Sequence, residues 1–590
     1  MITPLAVGRG WRLDAGQNVT GWVRIRVRGS TDASVTVRHA EVLEPDGSLH
    51  TRSLRSAKAT DTYVLAGSDP VVLEPSFTFH GFRYAVIRGD IELLDVSVVA
   101  ISSVDEPRSG FACSDPMLER LHENVVWSLR DNFVSVPSDC PQRDERLGWT
   151  GDAQAFAATA SLLVDSQAFW SSWLRDLELE QDPVLGVSTV VPDVVVSGEP
   201  RYGRAGWSDA ATIVPAAVYE AYGDPEILRA QLPSMRAHVD SLDARRGSDG
   251  LLPEAFQFGD WLDPDAPSDR PWLAKADGRY IANAFLVHSA RLTGTAARVL
   301  GRPDVAEPYE RLATEVAAAT WTTWAEHAVT NQTGCAVALE LGIAPDAERP
   351  RVGEALAALV READGRVATG FLGTPLVLPA LSAAGRFDAA YLMLLRRQVP
   401  SWLYQVAAGA TTVWERWDAI RPDGSIHDGR MRPFPDDAED ADGNMLSFNH
   451  YAYGAVVDWI YRHVAGIAPA SPGYRSIKIA PRPVEGLDRA EASVVTPYGQ
   501  AGISWAVGSD GLRIELVVPV GTSAVLDLPV SPDSVVTLDG DPLAGTVIDA
   551  GRHDLLVTNP RIVPHREAAA PSADTAQPAN AGARGAIEAW

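Results

Sequence analysis

The apolar period of this chain switches twice, and no other feature constrains its fold as tightly. Short alternating runs fill the first stretch: Trp22-Val23-Arg24-Ile25-Arg26-Val27, Ser34-Val35-Thr36-Val37-Arg38, Thr62-Tyr63-Val64-Leu65 and Tyr84-Ala85-Val86-Ile87. Period-two alternation broken by Gly, Asp and Pro marks half-buried antiparallel strands, and their close spacing predicts a β-sandwich over 1–108. From Ser114-Asp115-Pro116 the apolar residues Met117, Leu118, Leu121 and Val125 recur at helical spacing, behind a capping residue and a first-turn proline. Ala- and Leu-rich helical stretches, among them 153–163, 209–222, 281–300, 307–320 and 450–464, continue to 465. About 355 residues allow roughly 30 for each of twelve helices with its connection, which fits an (α/α)6 toroid of six hairpins over 109–465. Alternation returns at Ser476-Ile477-Lys478-Ile479, Gly502-Ile503-Ser504-Trp505 and Leu512-Arg513-Ile514-Glu515-Leu516, predicting a second β-sandwich over 466–560. The Ala/Pro/Gly-rich end, 561–590, lacks apolar spacing and reads as a disordered tail. The predicted fold class is multidomain α and β, a central toroid flanked by N-terminal and C-terminal β-sandwich domains.

Charge and composition exclude several function classes. The 590 residues carry 51 Lys+Arg against 77 Asp+Glu, a formal net charge of −26. That sign opposes nucleic acid or an anionic membrane surface as partner, because both are polyanions. No apolar run approaches the ~20 residues of a spanning helix. Cys113, Cys140 and Cys335 are odd in number and far apart, so neither a disulfide framework nor a cysteine-held metal is expected. No other metal or cofactor is implied. The start, Met1-Ile2-Thr3-Pro4-Leu5, has no basic and then apolar leader, and a cytoplasmic location is expected. Trp is abundant at 17, which raises the possibility of sugar stacking.

The densest polar cluster is Asp139-Cys140-Pro141-Gln142-Arg143-Asp144-Glu145-Arg146-Leu147-Gly148-Trp149-Thr150-Gly151-Asp152. Its prolines and glycines break a helix, and the helical run is expected to begin only at Ala153. Carboxylates that accept from hydroxyls, beside a ring that covers a C–H face, are the inventory of a sugar site. Crowded like charges also raise a carboxyl pKa, as a general acid needs. An acid-decorated helix start with surface ion pairs is the plainer alternative. A second cluster, Val413-Trp414-Glu415-Arg416-Trp417-Asp418, places a carboxylate between two Trp. Trp207 in Gly206-Trp207-Ser208-Asp209, Trp261 in Gly259-Asp260-Trp261-Leu262-Asp263, and His450 in Phe448-Asn449-His450-Tyr451 complete the candidates. Only closure of the helical region into a ring would bring Glu145 and Glu415 together. Two carboxylates across a Trp-lined pocket are the minimum machinery of glycoside hydrolysis.

The run from Asp139 to Asp152 resembles the signature segment of bacterial α-L-rhamnosidases, glycoside hydrolase family 78. Gly16-Gln17-Asn18-Val19-Thr20-Gly21-Trp22, Arg38-His39-Ala40-Glu41 and Phe79-His80-Gly81-Phe82-Arg83-Tyr84 resemble that family's leading β-sandwich, and Trp414-Glu415-Arg416-Trp417 and Phe448-Asn449-His450-Tyr451 match in order. The resemblance implies an inverting hydrolase that releases L-rhamnose. By the same resemblance Glu145 is the general acid and Glu415 the base. Asp139, Arg143 and Asp152 bind sugar hydroxyls, Trp149, Trp207 and Trp261 form pocket walls, and His450 is a further pocket residue. Many members carry further modules before the sandwich, which here begins almost at Met1. A small rhamnosylated glycoside or oligosaccharide is therefore the expected partner. The alternatives are a same-fold glycosidase for another sugar, or a non-catalytic carbohydrate-binding protein.

Overall fold

The computed structural model describes residues 5–7, 10–104, 106–194, 202–432 and 445–565. One twenty-residue strand, Gly10–Gly29, organises the N-terminal sheet domain. Its first half pairs with His80–Gly89 and its second half with Ile91–Ala100, so a single strand joins both to one seven-stranded sheet. Its alternation is the expected one: Val23, Ile25 and Val27 are buried, while Arg24, Arg26 and Arg28 face solvent.

The helices of the central domain are α1 (Pro116–Asn132), α2 (Thr150–Leu163), α3 (Gln167–Glu180), α4 (Ala210–Tyr222), α5 (Glu226–Asp243), α6 (Gly278–Val299), α7 (Pro303–Ala328), α8 (Gln332–Glu340), α9 (Arg349–Glu362), α10 (Thr374–Ala383), α11 (Phe387–Leu394), α12 (Trp402–Ala407) and α13 (Val456–Trp459). Six of them, α2, α4, α6, α8, α10 and α13, touch in a closed circle. This is the inner ring of the predicted toroid. α2 is buried on nearly every side, as its run of Ala, Gly, Ser and Thr permits. Two details differ from the sequence expectation. The short α12 is interposed before the last hairpin, and the expected helix over 450–464 is broken into 3-10, α and π turns over 452–465. The start of α1 follows the predicted chemistry: Asp115 accepts from the backbone N–H of Met117 at 2.8 Å, with Pro116 in the first turn.

The C-terminal domain pairs a seven-stranded sheet with a four-stranded one. Ser109–Cys113, placed by sequence at the start of the helical domain, is in fact an edge strand of that larger sheet, paired with Arg489–Thr496. Residues 561–565, predicted as tail, are also held. Val563 packs against the core, donates its N–H to the Pro483 carbonyl at 2.8 Å and accepts from the Glu485 N–H at 3.0 Å. An apolar side chain with a site to fill overrides the polar composition around it. The tail reading for 566–590 lies outside the described residues. Among the described residues no helix is long and apolar enough to cross a membrane.

The N-terminal sheets press directly on the loop 138–149 that leads into α2. A Cβ on Gly81 would lie 2.7 Å from the Pro141 ring and 2.8 Å from the Gln142 nitrogen. The Arg146 guanidinium stacks over Phe79 at 4.5 Å. Gly81→Val is therefore expected to push the domains apart, lowering the apparent Tm and the activity together. An unchanged melting curve by scanning calorimetry would contradict this packing.

Candidate active site

Each pocket-lining residue lies on a segment that leads into an inner helix: Asp139 to Trp149 before α2, Trp207 before α4, Phe258 and Trp261 before α6, Phe371 before α10, and Glu415 and His450 before the broken last helix. Asp152 sits in the first turn of α2, which begins at Thr150 rather than at Ala153. All nine residues singled out from sequence (Asp139, Arg143, Glu145, Trp149, Asp152, Trp207, Trp261, Glu415 and His450) line one cavity. The cavity is narrow, about 60 Å³ in volume. Gly151 is not a helix breaker here. A Cβ at that position would sit 2.5 Å from the Trp207 ring, so the glycine is what lets the indole reach the pocket.

Arg143 is the centre of the site and is almost wholly buried. It grips Glu415 with both terminal nitrogens, Nη1 to Oε2 at 3.1 Å and Nη2 to Oε1 at 3.3 Å. The same Nη2 donates to Asp139 Oδ2 at 3.1 Å, and Nε lies 2.8 Å from Glu145 Oε2. Across a guanidinium about 2.3 Å wide, these contacts cap the nearest oxygen separation of Glu145 and Glu415 at about 8 Å. Glu145 also accepts from Trp149 Nε1–H at 3.0 Å and from Arg55 at 2.9 Å.

The environments of the acids diverge. Burial pushes the Glu415 carboxyl up, but Arg143, His450 and Arg416 outweigh it and leave it below its ordinary range. Asp139 is pushed up, first by burial and then by the charge of Glu145, against Arg143. Asp152 is pushed up by burial and by Asp139 and Glu415. Burial depresses His450 to about 4, against Glu415, and its Nε2 lies 3.1 Å from Asp152 Oδ1.

Sequence reasoning missed several members. Phe258 makes ring contacts with Trp149, Trp207 and Trp261 and ties the aromatic wall together; only its place three residues before Trp261 pointed to it. Phe371 packs on His450, with centroids 5.0 Å apart, and Met445 closes the lining. Phe371 is positioned by Asp260, whose buried carboxylate accepts the N–H groups of Gly370, Leu372 and Gly373. Trp414 and Trp417 do not line this cavity. They pack behind Glu415, Trp414 against Phe448 and Trp417 stacked on Tyr453.

Two further acid groups could hold a cation by proximity. Asp139, Cys140 and Glu145 offer ligand atoms within 4.8 Å of one another, but Arg143 already sits on the two carboxylates. His39, Asp61 and His80 are similarly close, yet the two imidazoles stack at 4.2 Å and 21°, so their in-plane lone pairs run side by side instead of converging.

Comparison with known proteins shows the family. The bacterial α-L-rhamnosidase six-hairpin glycosidase domain matches 106–464, the concanavalin-like domain of the same family 9–102, and its C-terminal domain 466–541. The chain belongs to the bacterial α-L-rhamnosidase family. An α-L-rhamnosidase of Streptomyces avermitilis is 41% identical over 533 residues, covering 89% of this chain and 49% of the relative. One from Formosa agariphila is 35% identical over 543 residues, covering 90% and 56%. The chain thus spans about half the length of the curated relatives it matches. Among solved structures, the Aspergillus terreus α-L-rhamnosidase superposes with a TM-score of 0.85 at 36% identity, covering 95% of this chain and 63% of that one. The Streptomyces avermitilis enzyme complexed with L-rhamnose gives 0.82 at 38% identity, covering 93% and 52%.

The motifs that mark the family's leading sheet domain are the ones buried against this site. Gln17 Nε2 donates to the Thr411 carbonyl at 2.7 Å, and Glu41 accepts from Asn18 at 3.1 Å and from the Phe448 N–H at 3.2 Å. Asp131 accepts from the Thr20 N–H at 2.8 Å and from Asn449 at 2.7 Å. Burial raises Glu41 to about 8 and Asp131 to about 7, against these donors. Both values exceed the ~4 of an unfolded carboxyl, so folding favours the protonated forms. Their stabilising effect is complete below pH ~4 and is lost as pH rises toward ~8. Glu41→Gln should therefore match the parent in Tm near pH 4.5 and exceed it at pH 8.5. A difference that does not grow with pH would contradict the assignment.

Proposed function

We propose that this chain is an inverting α-L-rhamnosidase, with Glu145 as general acid and Glu415 as general base. The observation that carries this reading is the pair of carboxylates that face one aromatic-walled cavity and are both held by Arg143. The relative crystallised with L-rhamnose supports the choice of sugar. In the reaction the proton of Glu145 passes to the glycosidic oxygen as its bond to the anomeric carbon breaks. A water on the opposite ring face attacks that carbon and gives its proton to Glu415. The sugar leaves with inverted configuration, and solvent resets both carboxyls. The separation cap of about 8 Å is compatible with the ~6.5–9.5 Å that an intervening water requires. Asp139, Asp152, Arg143 and His450 would orient the hydroxyls, while Trp149, Trp207, Trp261 and Phe258 would cover the methyl and C–H faces of the 6-deoxy sugar. The net charge of −26 suits a neutral glycoside better than nucleic acid or an anionic membrane. The buried free thiols Cys113, Cys140 and Cys335 suit a reducing, cytoplasmic setting.

An NMR time course on a synthetic α-L-rhamnoside should show β-rhamnose first. Glu145→Ala on an unactivated glycoside, and Glu415→Ala on any, should each lose about 10²–10⁴-fold in kcat. First appearance of the α-anomer would replace inversion by retention. Cleavage of another sugar, with no α-rhamnoside hydrolysed, would overturn the substrate.

A further inference from the structure

The candidate acid is held partly by a residue from another domain. Arg55 belongs to the N-terminal sheet domain, just after the 3-10 turn Arg52–Leu54. Its Nη1 lies 2.9 Å from Glu145 Oε2, and its Nε lies 3.2 Å from Asp144 Oδ1. The next residue, Ser56, hydrogen-bonds the other Asp144 oxygen. Arg55 adopts φ +54°, a conformation that side chains other than glycine's rarely take. Such strain persists only where the surroundings impose it, and it concentrates at functional positions. Here the turn is anchored by Ser53 and Leu54, both buried, and by the Ala57 N–H to the Leu54 carbonyl at 3.0 Å.

We propose that Arg55 is a positioning residue for the acid, so that the N-terminal sheet domain forms part of the catalytic machinery. This rests on the reading of Glu145 as general acid. The carboxyl of Glu145 is held on both oxygens, by Trp149 on Oε1 and by Arg143 and Arg55 on Oε2. Arg143 is committed to Glu415 and Asp139 and is buried, so it meets Glu145 through Nε alone. Arg55 closes the remaining side at the pocket rim, with 30% of its side chain exposed. Its two-point grip on Asp144 and Glu145 fixes the outward edge of the carboxyl, where the leaving group must approach. Without it, the carboxyl pivots about Arg143 and the proton is no longer aligned with the glycosidic oxygen. Misplacement by about 1 Å costs on the order of 10²-fold in such reactions.

The test reads how rate depends on the leaving group. Protonation matters most for an alkyl rhamnoside and least for a dinitrophenyl rhamnoside, whose phenolate departs without help. Arg55→Ala is expected to lose about 10–100-fold in kcat/KM on the alkyl substrate and less than about 3-fold on the dinitrophenyl one. Arg55→Gln, which keeps one N–H donor, should fall between the parent and Arg55→Ala, and it reads the effect if the alanine variant folds poorly. Glu145→Ala serves as the reference. If it loses both substrates equally, the acid assignment fails. If it shows the leaving-group dependence while the Arg55 variants lose both substrates equally, or neither, the positioning role is overturned and the acid assignment stands.

Discussion

The candidate site depends on one buried guanidinium. Arg143 is almost inaccessible to water, and three carboxylates from two distant parts of the chain converge on it. A buried charge of this kind is tolerated only when paired and hydrogen-bonded, and removing one partner from such a set is strongly destabilising. Arginine rather than lysine is required, because only the planar fork can face Glu415 with both terminal nitrogens while Nε turns to Glu145. The interaction therefore acts as a geometric gauge. It holds the two candidate carboxylates at a distance set by a rigid plane rather than by two independent loops.

The second constraint is the wedge of the N-terminal sheets against the loop 138–149 and the segments 411–415 and 446–450. These segments are irregular backbone in the middle of the molecule, and their polar groups need partners. Gln17, Asn18 and Glu41 supply some of them, and the Ser447 hydroxyl donates to Gln142, tying the segment 446–450 to the loop 138–149. The toroid alone would leave those groups open to water. The sheet domain is thus the outer wall of the pocket's support, which accounts for its position immediately before the helical domain in the chain.

The architecture was legible because it rests on periodicity, which a single sequence displays directly. The two sheet domains and the ring of helices follow from apolar spacing, and Asp115-Pro116 marks a helix start by local chemistry alone. The nine pocket residues were legible for a different reason: acids and indoles are rarely adjacent without cause, and the motifs that carry them match a known family. What remained hidden is what only the closed fold creates. Ser109–Cys113 reads as a lead-in to a helix, and only the folded sheet shows the edge it completes. Trp414 and Trp417 flank Glu415 in sequence but point into the core behind it. Phe258 and Phe371 look like ordinary apolar residues until their loops converge. Arg55, one arginine among many, is distinguished only by its strained backbone and its two partners.

The charge state of the pocket follows from where each acid stands relative to Arg143. Asp139, Asp152, Glu145 and Glu415 crowd around one central cation, and an excess of unbalanced charge away from water is costly. Burial and neighbouring charge push two of these carboxyls, Asp139 and Asp152, toward the protonated form. Asp152 lies beside His450, whose pKa burial holds down to about 4, while burial pushes the Asp152 carboxyl up. Asp139 shares Arg143 but also feels Glu145, and its carboxyl is pushed up as well. Glu415 takes both terminal nitrogens and stays ionised. The pocket therefore presents carboxyls pushed toward the protonated form, a guanidinium that donates, an imidazole whose Nδ1 has no partner among the described residues, and the Glu415 carboxylate, which accepts. A sugar hydroxyl donates one hydrogen bond and accepts others, so a wall of uniform charge could not orient a ring of them. A mixed wall can, and the mixture here arises from burial acting unequally around a single cation.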